Sequence, residues 1–195
     1  MIITKPNSYI ADNVHIKDKL SVGFCSIIGN EQNGDTYIGL NCNIGDFCKV
    51  DHDVVIGDDA TIEDYCSIYK MCTVGNGFRM VSGSRIAARC SIGNNVIING
   101  IVSQRVIIED DVRFFGRTVH SHLDHTKDWK TTVEPSPILK RGCIVGVNAM
   151  IMGGIIIGEN SYVAAGEIVK CNVPADKVYI NGKIIDKIYF RGFIK

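Results

Sequence analysis

The residues of this chain best suited to chemistry are gathered in one stretch, FGRTVHSHLDHTKDWKTTVEPSPI, from Phe115 to Ile138. It holds His120, His122 and His125 out of five His in the protein, the single Trp, Trp129, and two of the four Pro. An imidazole titrates near neutrality and can take and return a proton in a reaction at physiological pH. Three imidazoles set this closely could also hold a zinc ion. Asp124 or Glu134 could orient a neighbouring imidazole. The bland alternative is a solvated excursion that covers a neighbouring subunit.

The elements that must position these residues follow a period of six. Every sixth residue from Ile38 is aliphatic: Ile38, Ile44, Val50, Ile56, Ile62, Ile68, Val74, Met80, Ile86, Ile92 and Ile98. The same spacing links Ile10, Ile16, Val22 and Ile28, and later Leu139, Val145, Ile151, Ile157, Val163 and Val169. The residue after the anchor is often Gly, and the residue four after it is small or aliphatic. Periods of 3.6 and 2 both fail to explain this. A short strand and a turn repeated every six residues does, with three sides closing a coil and about eight coils stacking at the strand spacing of roughly 4.8 Å. Abundant Ile, Val and Gly suit short strands joined by tight turns.

The period breaks in three places, and breaks in a solenoid mark loops, where function concentrates. The spacing predicts four extra residues between Ile28 and Ile38 and four more between Ile98 and Ile108. The third break loses the phase after Phe114 and regains it at Leu139.

YIGLNCNIGDFCKV, VIGDDATIEDYC and IVGVNAMIMGGIIIGENSYVAAGEIV resemble the coils of hexapeptide-repeat acyltransferases, over roughly residues 8 to 175. The resemblance implies an all-β, left-handed parallel β-helix with an extended loop near residues 115–138 and a short C-terminal element. The expected organisation is a single domain, 1–195, with regular coils at about 8–114 and 139–173 and a tail from 174 to 195.

The His-bearing loop is similar to that of sugar acetyltransferases in the family, which implies acetyl-CoA as co-substrate and a sugar as acceptor. The expected acceptor group is the amine of a nucleotide-linked amino-deoxy sugar, with O-acetylation as the alternative. Transfer from a thioester requires a base, donors for the oxyanion and close positioning of both substrates. The resemblance makes His120 the first choice as base and His122 the second. Asn95, Asn99, His125, Trp129 and Glu134 are expected to face the acceptor. Gly146, Asn148, Ala149, Gly153, Gly154, Ala164, Ala165 and Gly166 match the track along which the family lays its pantetheine arm, with Lys170, and more weakly Lys177 and Lys183, near the CoA phosphates. The tail NVPADKVYINGKIIDKIYF departs from the family's usual ending by lacking its second Pro and following Ala, which bears on the adenine end of CoA.

Six of the eight Cys (Cys42, Cys48, Cys66, Cys72, Cys90 and Cys143) fall on the small inward position and read as compact core residues, not as nucleophiles, metal ligands or disulfides. No metal is expected. Two other functions compete: a zinc enzyme of the γ-carbonic-anhydrase type, which shares the fold, and a non-catalytic solenoid. Lys+Arg and Asp+Glu both total 21, so nothing suggests a nucleic-acid footprint. No apolar run is long enough to span a membrane, and the first residues lack a signal-peptide pattern, so a cytoplasmic location is expected. The resemblance further implies a homotrimer with sites between subunits.

Overall fold

The computed structural model describes residues 1–121, 126, 128 and 133–187. Strands of mostly two or three residues stack into three sheets, one along each side of a three-sided coil, parallel throughout except for the terminal hairpin. Face A runs from Ile2–Thr4 through Cys42–Ile44, Arg79–Met80 and Arg113–Phe114 to Tyr162–Val163. Face B runs from Tyr9–Ile10 through Ser67–Ile68 and Arg117–Thr118 to Ile168–Val169. Face C runs from Val14–Ile16 through Thr73–Val74 to Ile156–Ile157. The parallel β-helix expected from the repeat is what forms.

Anchor lies over anchor: on face A, Ile44, Ile62, Met80, Ile98, Phe114 and Val145 are successive partners, all at most 1% exposed. Each fully buried aliphatic side chain contributes about 1.5–3 kcal/mol. The six inward Cys are buried as well, whereas Cys25 and Cys171 are exposed. Burial pushes the Cys143 thiol up to about 12 and raises that of Cys42, so both are inert thiols at neutral pH.

The Gly after the anchor has a local cause. The next coil places an Asp or Asn two residues after its anchor, and that side chain accepts the turn N–H of the coil before. Leu40 N–H donates to Asp58 Oδ1 at 2.8 Å, Asp58 N–H to Asn76 Oδ1 at 2.8 Å, Asn76 N–H to Asn94 Oδ1 at 2.9 Å, and Asn94 N–H to Asp110 Oδ1 at 2.7 Å. A Cβ at Gly39 or Gly57 would lie 2.5 Å from the Oδ1 it must leave room for.

Two sequence expectations need correction. The break between Ile98 and Ile108 is not an insertion. The chain turns directly from Ile97–Ile98 on face A to Ile101–Val102 on face B, a side shortened by two residues. Read by phase alone, a loss of two and a gain of four are the same in a period of six. The next coil repeats the short side, from Arg113–Phe114 to Arg117–Thr118. The regular coil therefore continues to Thr118, not Phe114, because the buried Thr118 fills an anchor slot with a polar side chain. The long loop begins after it and the coil resumes at Ile138–Leu139. By contrast, the four extra residues between Ile28 and Ile38 are real; Asn13 Nδ2 donates to the carbonyls of Asn30, Asn33 and Gly34 there.

The short C-terminal element is a hairpin, Lys177–Ile180 and Lys183–Asp186, antiparallel around Asn181-Gly182. Its first strand adds parallel to Tyr162–Val163 and closes the end of face A.

Candidate functional site at the loop corner

Corners join the faces, and the expected site residues divide among all three. The corner from A to B carries Asn99, then Gly146, Asn148 and Ala149, then Ala164, Ala165 and Gly166. The last two groups stack so closely that a Cβ on Gly146 would meet Ala165 N at 2.6 Å. The corner from C to A carries Asn95, at φ 55°, whose Nδ2 donates to Asp111 Oδ1 at 3.1 Å. The corner from B to C carries His120, Gly153, Gly154 and Lys170. Lys177 and Lys183 lie in the terminal hairpin. The expected CoA track is thus split over two edges of one subunit.

The B–C corner is where the loop leaves and returns. Thr118 holds the exit: its Oγ1 accepts the Ser103 N–H at 2.7 Å and lies 2.9 Å from Ser103 Oγ. Val119 N–H makes the last sheet bond, to Ile151 O at 3.0 Å. His120 follows, half-buried. On the return, the Ser136 hydroxyl donates to Gln104 O at 2.8 Å. Lys140 Nζ lies 2.7 Å from Glu109 Oε1, and Arg141 N–H donates to Glu109 Oε2 at 3.0 Å. The Lys140 ammonium beside it holds the Glu109 carboxyl below its usual range.

Both ends of the loop close over the Gly153-Gly154 turn. A Cβ on Gly153 would sit 2.9 Å from Ser121 N and 2.9 Å from Pro135 O, and one on Gly154 would meet Pro135 Cβ at 3.3 Å. Gly is required at Gly153 for this approach, and Gly154 also needs it for φ +76°. Elsewhere on this corner the residue in the Gly154 position donates its N–H to the preceding coil: Met71 to His52 O, Arg89 to Lys70 O and Arg105 to Ala88 O. Among the described residues Gly154 N–H has no such partner, because the loop has left the coil where that carbonyl would stand.

His120, Gly153 and Gly154 are therefore brought together. Glu134 stands near the return of the loop. His122, Asp124, His125 and Trp129 lie outside the described residues. Thr118, Ser121 and Ser136 were not singled out by sequence; the one signal for Thr118 was its place four residues after Phe114, the spacing that Val102 keeps from Ile98. Among the described residues no group of three or more His, Cys, Asp or Glu is placed to hold a metal ion, and no helix is long and apolar enough to cross a membrane.

Residues 35–70 match the bacterial transferase hexapeptide family of six repeats, the same residues whose anchors stack into the first regular coils. Those residues carry that family's hexapeptide repeat. It is 34% identical over 90 residues to the serine acetyltransferase of Buchnera aphidicola subsp. Schizaphis graminum, covering 45% of this chain and 33% of that protein. It is 28% identical over 90 residues to the serine acetyltransferase of Buchnera aphidicola subsp. Acyrthosiphon pisum, covering 45% of this chain and 31% of that protein. The match spans about a third of the length of each curated relative. Among solved structures, LpxA from Acinetobacter baumannii shares the fold at a TM-score of 0.51 and 14% identity, over 99% of this chain and 78% of that one.

Proposed function

We propose that this protein transfers an acetyl group from acetyl-CoA to a sugar, at the amine of a nucleotide-linked amino-deoxy sugar, with His120 as general base. One observation carries the reading. Where the coil opens for its longest loop, His120 emerges beside a glycine turn whose Gly154 N–H has no backbone partner among the described residues. His120 takes the proton of the attacking amine as its nitrogen bonds to the thioester carbonyl carbon. The Gly154 N–H would supply the donor that a developing oxyanion needs. Collapse breaks the C–S bond, and the CoA thiolate leaves with the proton from His120. Gly153 and Lys170 on the same corner would pass the pantetheine arm and meet a CoA phosphate. The A–B corner groups, Gly146 to Ala149 and Ala164 to Gly166, would serve the arm on a neighbouring copy in a homotrimer.

A second reading has its own support: both sequence relatives are serine acetyltransferases, so a hydroxyl of an amino acid is the competing acceptor. Incubating the protein with acetyl-CoA and a panel of amino-sugar nucleotides, neutral sugars and L-serine, with products weighed by mass spectrometry, separates the two. An N-acetylated sugar nucleotide is expected. O-acetylserine alone would replace the sugar reading, and no acetylated product from any acceptor would overturn both.

A further inference from the structure

The turn slot three residues after most anchors is left-handed, and the fold fills it mostly with Asn, Asp or Gly, as at Asn41, Asp59, Gly77, Asn95 and Asp111, with Cys25, Phe47, Tyr65 and Met71 as exceptions. Those types tolerate positive φ at little cost. On the B–C corner, two successive coils put arginine there instead, Arg89 at φ 64° and Arg105 at φ 61°. Long side chains held against their backbone preference cluster where ligands are bound. They stack directly, since Arg89 N–H donates to Lys70 O and Arg105 N–H to Ala88 O. Arg89 and Arg105 thus form a column, and Lys70, one residue before the Met71 that fills the same slot in the coil below, adds a cation at its foot. None has a carboxylate partner among the described residues. The acids one coil further on at this corner, Asp51 and Asp53, are engaged: His52 Nδ1 lies 2.7 Å from Asp53 Oδ2 and Lys49 Nζ 3.8 Å from Asp51 Oδ2. Arg85 adds a fourth cation beside the column, its guanidinium 4.6 Å from the Tyr69 ring centre.

The column ends at the site. Arg105 belongs to the coil that Thr118 and Ser136 grip, through Ser103 and Gln104, so it adjoins the base of the loop that carries His120. It runs from there toward the N-terminal coils, away from Gly153, Gly154 and Lys170. Coils repeat at about 4.8 Å, so three cations span roughly the length of a diphosphate with its flanking sugars. Arginine forks match phosphate oxygens in pairs.

We propose that Lys70, Arg89 and Arg105 bind the diphosphate of the second substrate, a nucleoside-diphosphate conjugate whose reacting end lies at His120. The assignment to the second substrate rests on the acyltransferase reading; the phosphate site itself does not. The test uses Arg89→Asn with Arg105→Asn in the full chain, since Asn suits a left-handed turn and the double variant should melt no lower than wild type. Isothermal titrations with pyrophosphate, UDP, GDP and CoA are compared in the two proteins. Pyrophosphate and at least one nucleoside diphosphate should bind the wild type and weaken tenfold or more in the variant, with CoA affinity unchanged. Equal affinities in both proteins, or no binding of pyrophosphate, UDP or GDP to the wild type, overturn the phosphate site. A loss confined to CoA overturns its assignment to the second substrate. Failure of acetyl transfer with normal diphosphate binding would instead sink the activity and leave the column standing.

Discussion

Thr118 occupies an anchor slot that the flanking coils give to Val102 and Ile151. Its hydroxyl is the reason it can be there: buried at 2% exposure, it accepts the Ser103 N–H and so fixes the chain two residues before His120. Thr118→Val keeps the shape and removes the acceptor, leaving the part-buried Ser103 N–H without this partner at a cost of about 1 kcal/mol. A urea titration should show that loss, with acetyl transfer falling further than stability alone predicts, because the exit of the loop is no longer held. A variant as stable and as active as wild type would remove Thr118 from the account. The chemistry of the site was only partly legible at this scale. His120 stood out by type and company. The Arg column did not, because its signal is a misfit between residue type and turn conformation, and that conformation is known only once each residue's place in the coil is known.

At the scale of elements, the hexad made the strands readable, since a narrow triangular interior accepts one large and one small side chain per side and little else. The shortened sides were not readable by phase, and the turn after Phe114 was hidden by the polar anchor. Glycine gives them away in space: a Cβ on Gly100 would fall 1.9 Å from Gly116 O, and one on Gly116 would fall 2.2 Å from Ala149 O. Gly116→Ala forces backbone apart in the coil that launches the loop and should lower the melting temperature clearly. Gly83→Ala, with nothing within 4 Å but φ +77°, should cost only about 1 kcal/mol. Equal melting of the two variants would contradict the packed short corner. The terminal hairpin was legible in principle, since Asn181-Gly182 between two apolar runs is the strongest short-range hairpin signal.

For the whole molecule, coil-to-coil ion pairs set an acid limit. Arg79 beside Glu63, with the Ser82 N–H, holds that carboxyl below its ordinary 4.5, and Lys140 does the same for Glu109. A lowered folded value means the stabilisation is present in full above about pH 4.5 and is lost as pH falls through the lowered value. Both groups are partly exposed, so each effect is modest. Urea midpoints should drop between pH 6 and pH 3, and Glu109→Gln should flatten that drop; a variant with the wild-type slope would refute the role of this carboxylate. Glu109 also ties the coil before the loop to the coil after it, so the acid limit and the integrity of the loop corner go together.

The central claim is that the B–C corner is an acyl-transfer site with His120 as its base. Thiol release from acetyl-CoA, measured for wild type and His120→Ala at matched melting temperature with the acceptor found to be turned over, tests it most directly. Loss of a positioned base predicts a fall of about 10²–10⁴-fold in kcat, with little change in the KM for acetyl-CoA. An unchanged kcat in His120→Ala would contradict it.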